Sequence, residues 1–141
     1  MNSSDFQAGA VVYAKDLDRL AQFYAEVAGL EIVHRVDDHV VLESEYFELV
    51  IVAIPAATAV RIVISTPPER RVATAFKLVF PVPDIAVART AAAAAGGAVD
   101  AIAKEWSFQG LRVCDGMDPE GNVIQLRETG SVLQRTQGED D

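Results

Sequence analysis

The sequence predicts an α+β chain of two tandem modules, each running strand, helix, strand, strand, strand. Three observations carry that expectation. An apolar strand, an Asp, a helical stretch and a Gly occur twice, with Asp16 and Asp84 68 residues apart and Gly29 and Gly97 separated by the same 68. Three β-rich runs follow each helical stretch. Half of the 141 residues are hydrophobic and 23% are charged, the balance of a packed domain rather than a disordered chain.

The first module, placed at residues 8–54, opens on the strand Ala10 to Ala14. Asp16 then suits an N-cap, since its carboxylate can accept from the first free backbone N–H groups of a helix. Leu17, Leu20, Ala21, Tyr24, Val27 and Ala28 follow at the spacing of one helical stripe, and Gly29 suits the residue after the C-cap. Phe23 and Tyr24 read as packing residues. Glu31 to Val36 and His39 to Ser44 form a hairpin about Asp37-Asp38, and Phe47 to Ile54 is the fourth strand. Residues 55–74, with Pro67-Pro68, read as a linker or edge loop in which Arg61 to Ser65 forms a short strand.

The second module, at 75–128, repeats the order. Leu78 to Val82 is its first strand, Asp84 its N-cap, and Ile85, Ala88, Ala92 and Ala95 its helical stripe before Gly96-Gly97. Strands are expected at Ala98 to Ala103, Leu111 to Asp115 and Asn122 to Arg127, with Asp118-Pro119-Glu120-Gly121-Asn122 as a tight turn. Trp106 and Phe108 fall in the loop between the first two of these. Residues 129–141 read as a disordered, silent tail.

Composition excludes several functions. The net charge of −9 repels phosphate backbones and anionic lipid, so neither nucleic acid nor a membrane surface is an expected partner. The uncharged run 49–60 contains Pro55 and falls short of the about 20 residues a spanning helix needs. Met1 to Asp5 has no basic cluster and no apolar run, so a cytoplasmic location is the expectation. The single cysteine, Cys114, sits in a strand pattern and reads as a packed thiol.

With "VVYAKDLDRLAQFYAEVAGLEIV" opening the first module and "LRVCDGMDPEGNVIQLRE" closing the second, the chain resembles the vicinal oxygen chelate superfamily over about residues 8 to 128. Glyoxalase I, extradiol dioxygenases, fosfomycin-modifying enzymes and bleomycin-resistance proteins belong to it. The resemblance implies that the two curved mixed sheets form an open cup. In the family's enzymes the cup holds a divalent metal on His, Gln or Glu side chains from the first and last strand of each module. Carried over to this sequence, the first-strand positions are Gly9 and Lys77, and neither offers a lone pair to a metal. The last-strand positions are Gln125 and, in the first module, a residue near Val50, with Glu48 on the same strand face. Two usable ligands fall short of the three that a catalytic site needs, so no metal and no other cofactor is expected. His34 and His39, diagonal across the hairpin, read as surface strand residues.

Strand alternation sets Tyr13, Glu48, Val50, Lys77, Gln125 and Arg127 toward the cup. Lys77 is placed to pair with Glu48 or, with Gln125 and Arg127, to hold a ligand anion. Trp106 and Phe108 are placed to stack on a flat ring, as in the family's drug-binding members, or to cover the sheet edge or a dimer contact. The leading expectation is a metal-free protein that sequesters or carries an aromatic or partly apolar ligand. One alternative is a lyase, isomerase or dioxygenase with a metal at displaced ligands such as Glu48, Gln125 and a His. Another is a metal-free enzyme with Glu48 or Tyr13 as general acid or base. The resemblance also implies a homodimer.

Overall fold

A computed structural model describes residues 7–129; most of the expected tail, from residue 130, lies outside the described residues. The first module comprises β1 (Ala8–Ala14), α1 (Leu17–Val27), β2 (Glu31–Val36), β3 (His39–Glu43) and β4 (Phe47–Ala53). A short helix, α2 (Ala56–Ala59), follows. The second module comprises β5 (Leu78–Val82), α3 (Ile85–Ala94), β6 (Ala98–Val99), β7 (Trp106–Phe108), β8 (Leu111–Met117) and β9 (Val123–Glu128).

Each module folds into one mixed sheet, in the orders β1-β4-β3-β2 and β5-β9-β8-β6, with β7 also on β8. The first strand of each runs parallel to the last, β1 on β4 and β5 on β9, while the other pairs are antiparallel. Both sheets are open, and the connection between their parallel strands runs through the helix, which covers one face, and then through the antiparallel strands.

Both helices start where the sequence places them. Asp16 accepts from the Arg19 N–H at 3.2 Å, and Asp84 accepts from the N–H groups of Ala86 and Val87. The buried side chains of α1 are Leu20, Ala21, Phe23, Tyr24 and Val27; those of α3 are Ile85, Ala88 and Ala92. Tyr24 and Phe80 rings meet at 5.6 Å and Phe47 and Phe80 at 5.7 Å, so one core runs through both modules. Full burial of each such ring contributes about 2–3 kcal/mol.

The turn expected at 118–122 clasps the modules together. Asp118 is fully buried and accepts from the Tyr24 hydroxyl of α1 at 2.7 Å, from the backbone N–H groups of Glu120 and Asn122, and from the Asn122 amide. Glu120 spends both oxygens on the N–H groups of Lys15 and Asp16, at 2.9 and 2.8 Å. Gly121 supplies the positive φ of the turn, at +83°.

Three local expectations fail. Arg61 to Ser65 forms no strand: α2 and a turn precede it, and the backbone runs on irregularly. The Ala98 to Ala103 strand stops at Val99 because the Asp100 carbonyl is taken by Arg89 Nε and Cys114 Sγ, its carboxylate by Arg70; a 3-10 turn, Ile102–Lys104, follows. Trp106 and Phe108 lie in a strand, not a loop, since Trp106 to Phe108 pair with Val113 to Leu111. β6 and β7 are thus two pieces of one interrupted edge strand, on β8 as β2 lies on β3. Of the Gly96-Gly97 pair after α3, Gly96 takes the positive φ, at +92°, because α3 is one residue shorter than α1. Gly97 serves packing: a Cβ there would sit 2.5 Å from the Phe23 ring and overlap the Met117 carbonyl oxygen.

Candidate functional site

In each sheet one face is covered by its helix and the other stands open. Leu49 and Ile51 of β4 and Ile124 and Leu126 of β9 point to the core, which turns Glu48, Val50 and Val52, and Val123, Gln125 and Arg127, the opposite way. Register carries the same parity to the neighbours. Gly9, Val11 and Tyr13 lie beside Glu48, Val50 and Val52, while Asp115 lies beside Gln125 and Val113 beside Arg127.

On the second sheet this open face holds a connected polar chain. Lys77, one residue before β5, places Nζ 2.7 Å from Asp115 Oδ2. The Gln125 amide donates to Asp115 Oδ1 at 3.3 Å, and its oxygen accepts from Arg127 Nε at 2.9 Å. Each cation also lies over a ring, Lys77 Nζ at 5.8 Å from the centre of Trp106 and the Arg127 guanidinium at 4.9 Å from that of Phe108. The rings are in reach because β7 pairs directly with β8: Trp106 stands opposite Val113, which stands opposite Arg127. Gln125 and Val113 are buried, whereas Trp106 and Phe108 stay 40% and 43% exposed. The result is a half-open apolar floor with two fixed cations and one carboxylate.

Five of the eight sequence-derived site residues, Lys77, Trp106, Phe108, Gln125 and Arg127, therefore meet in one network. Tyr13 joins its edge, since a cleft of about 300 Å³ between the modules is lined by Val11, Tyr13, Phe76, Lys77 and Val123. Glu48 and Val50 lie on the open face of the first sheet, and no polar contact among the described residues links Glu48 to the network. The expected Lys77–Glu48 pair is replaced by Lys77–Asp115 because Asp115, beside Gln125 on β8, stands on the same sheet as Lys77. Asp115 is the residue that the sequence reading missed. Its signal was present: an acid inside an apolar strand, at the register position that the tight turn sets against Gln125.

A metal does not fit these residues. Val50 lies against Val11 as Gln125 lies against Val79, which makes Val50 and Gln125 equivalent in the two sheets. Of the family's four ligand positions, Gly9, Val50, Lys77 and Gln125, only Gln125 has a donor atom, and both ends of its amide are engaged. A Cβ at Gly9 would overlap the Glu48 carbonyl oxygen, so the backbone there leaves no room for a side chain. Among the described residues no three His, Cys, Asp or Glu side chains gather as a ligand set. The rings of His34 and His39 do come together, at 5.5 Å, where β2 bulges between Ile32 and His34, and His39 pairs with Asp38. Cys114 lies on the helix-facing side, where burial pushes its thiol up.

A larger hollow of about 700 Å³ lies elsewhere, at the start of α1 against residues 64–66. Several of its charges are spent internally: Arg35 pairs with Asp18, Lys15 donates to the Ile62 carbonyl, and Glu120 is bound to backbone. The open sheet face is the better candidate because its polar groups point outward over exposed rings.

Residues 9–127 match the model of the family described as glyoxalase-like domain. The chain belongs to this family. Solved structures of glyoxalase and bleomycin resistance proteins share its fold. A glyoxalase/bleomycin resistance protein/dioxygenase family enzyme from Burkholderia phytofirmans PsJN superposes with a TM-score of 0.61 at 17% identity, covering 86% of this chain and 96% of that one. The bleomycin resistance determinant encoded on transposon Tn5 gives 0.56 at 20% identity, covering 88% and 98%. Lactoylglutathione lyase from Agrobacterium tumefaciens gives 0.54 at 20%, covering 92% and 97%. No curated protein matches the chain. At these identities the glyoxalase-like chain shares the fold of both a lyase and a resistance protein, and its own residues must decide between them.

Proposed function

We propose that this glyoxalase-like chain is a metal-free small-molecule-binding protein that sequesters or carries an aromatic or partly apolar ligand on the open sheet faces. The observation that carries this reading is the state of the family's ligand positions: one is a glycine, one a valine, one an ammonium paired with Asp115, and one a glutamine bound at both ends. What stands there instead, apolar floor, exposed rings and a few oriented polar groups, has the makeup of a ligand pocket. Tyr13, Glu48 and Val50 on the first sheet complete the ligand surface in this reading. Exposed apolar side chains at Val11, Tyr13 and Phe76, beside the cleft that Lys77 lines, suit a homodimer whose second subunit covers part of that surface. Among the described residues no helix is long and apolar enough to cross a membrane, in keeping with a cytoplasmic binder.

Trp106 is the chain's single tryptophan, so its fluorescence reports on the site directly. A panel of aromatic compounds is titrated with and without chelator, and native mass spectra are taken before and after incubation with Zn, Mn, Fe, Co and Ni. Saturable Trp106 changes that chelator leaves untouched, on a metal-free dimer, are expected. One chelator-removable metal per cup, with turnover that depends on it, would overturn the reading in favour of a glyoxalase-like lyase or a dioxygenase.

A further inference from the structure

We propose that the ligand carries an oxyanion, a carboxylate or sulfonate, on an aromatic ring, and that Arg127 receives the anion. The proposal rests on the open face of the second sheet being the ligand site and adds the ligand's charge and its anchor.

The argument begins with charge. The chain as a whole is acidic at −9, yet the polar chain Lys77–Asp115–Gln125–Arg127 sums to +1, because within it Asp115 neutralises Lys77 and Arg127 has no acid of its own. The other two arginines of the second module are matched: Arg89 lies on Glu105 at 2.6 Å, and Arg112 lies on Glu105 and Glu128. Among the described residues no carboxylate is in ion-pair reach of Arg127. Its Nε–H is instead spent on the neutral oxygen of Gln125, and its plane lies over Phe108.

That arrangement fixes the guanidinium without filling it. Gln125 cannot turn its amide over, because Asp115 demands the NH2 end and Arg127 the oxygen. Phe108 holds the plane from one face. The terminal Nη groups remain as a planar fork of donors, the geometry that grips a carboxylate or sulfonate through two parallel bonds. The partly exposed rings of Trp106 and Phe108 lie beside the fork, so a flat apolar body attached to the anion has surface to cover. On the open face of the second sheet a cationic group would meet Arg127 and Lys77, with Asp115, already paired to Lys77, as the acid of that polar chain.

The test uses two probes of nearly one shape, the anionic 1-anilinonaphthalene-8-sulfonate and the neutral N-phenyl-1-naphthylamine, read by energy transfer from Trp106. The intact protein is expected to bind the sulfonate at least about tenfold more tightly, the size of one charge-assisted bond. Arg127→Met should erase that preference by weakening the sulfonate far more than the neutral probe, and Arg127→Lys should keep part of it. Raising salt from 50 to 500 mM should weaken only the sulfonate, which keeps the test decisive if Arg127→Met fails to fold. Equal binding of the two probes, a preference that survives Arg127→Met, or indifference to salt would overturn the proposal and leave the binding reading standing. Absence of transfer to either probe would overturn both.

Discussion

Replacing Asp118 by Ala tests whether the 118–122 turn holds the two modules together. The carboxylate accepts four hydrogen bonds at full burial, from Tyr24 Oη, the Glu120 and Asn122 N–H groups and the Asn122 amide. Alanine leaves the Tyr24 hydroxyl without an acceptor in a fully buried place, at about 1–3 kcal/mol, and loosens the turn whose Glu120 caps the start of α1. Removing the desolvated charge offsets part of this, so a net loss of about 3 kcal/mol is expected, a large share of the ~5–15 kcal/mol a domain has. Urea unfolding at pH 7 reads it as a midpoint drop of about 1.5 M for a slope near 2 kcal/mol/M. Tyr24→Phe should cost only about 1 kcal/mol, because Asp118 keeps three donors, and the double variant should lose at least about 1 kcal/mol less than the sum of the singles. A pH signature accompanies the loss. Burial raises the Asp118 carboxyl above its usual 3.8, against the hydrogen bonds that lower it, so the folded chain holds that proton to higher pH than the unfolded chain. As pH rises from about 3.8 through the folded value, Asp118's contribution to stability must therefore fall, and Asp118→Asn must flatten that stretch of the curve. A loss under about 1 kcal/mol for Asp118→Ala, or strict additivity with Tyr24→Phe, would refute the clasp.

Two further outcomes follow from the same structure. Gly97→Ala should cost about 2–3 kcal/mol, from overlap with the Phe23 ring and the Met117 carbonyl, whereas Gly29→Ala, in open space at φ +70°, should cost about 1–2 kcal/mol of backbone strain; thermal melts that rank them the other way would refute the packing role of Gly97. Cys114 is fully buried, with burial raising its pKa, so a disulfide reagent should label the native chain at least about a hundredfold more slowly than the urea-unfolded chain; equal rates would show the site to be open.

The fold was legible because its signals are local and doubled. Asp16 and Asp84 cap their helices with their own carboxylates, and each helix buries a stripe that the spacing already displays. Where the reading failed, a long-range contact had overridden a local preference. The apolar run from Ala98 has the composition of a full strand, but Arg70, Arg89 and Cys114 converge on Asp100 and break it. Nothing near Asp100 in sequence announces Arg70, 30 residues upstream. The offset of 68 between Gly29 and Gly97 was likewise a coincidence of spacing: α3 is one residue shorter, and the two glycines do different work, one permitting a positive φ and the other a close approach.

The site divides along the same line. Parity along a strand, which sequence reveals, put Lys77, Gln125 and Arg127 on one face; pairing between strands, which it reveals only through a turn, supplied Asp115 and brought Trp106 and Phe108 over the cations. The missing acid changes the chemistry. With Glu48 as its partner, Lys77 would bridge the two sheets; with Asp115, its positive charge is settled within the second sheet, which is the ground for proposing Arg127 as the anion's anchor. A protein that had kept its metal would need lone pairs where this one has a glycine, a valine and an ammonium. With those groups at the family's ligand positions, what the second sheet presents is an apolar floor and a cationic fork, and the binding reading proposed above rests on them.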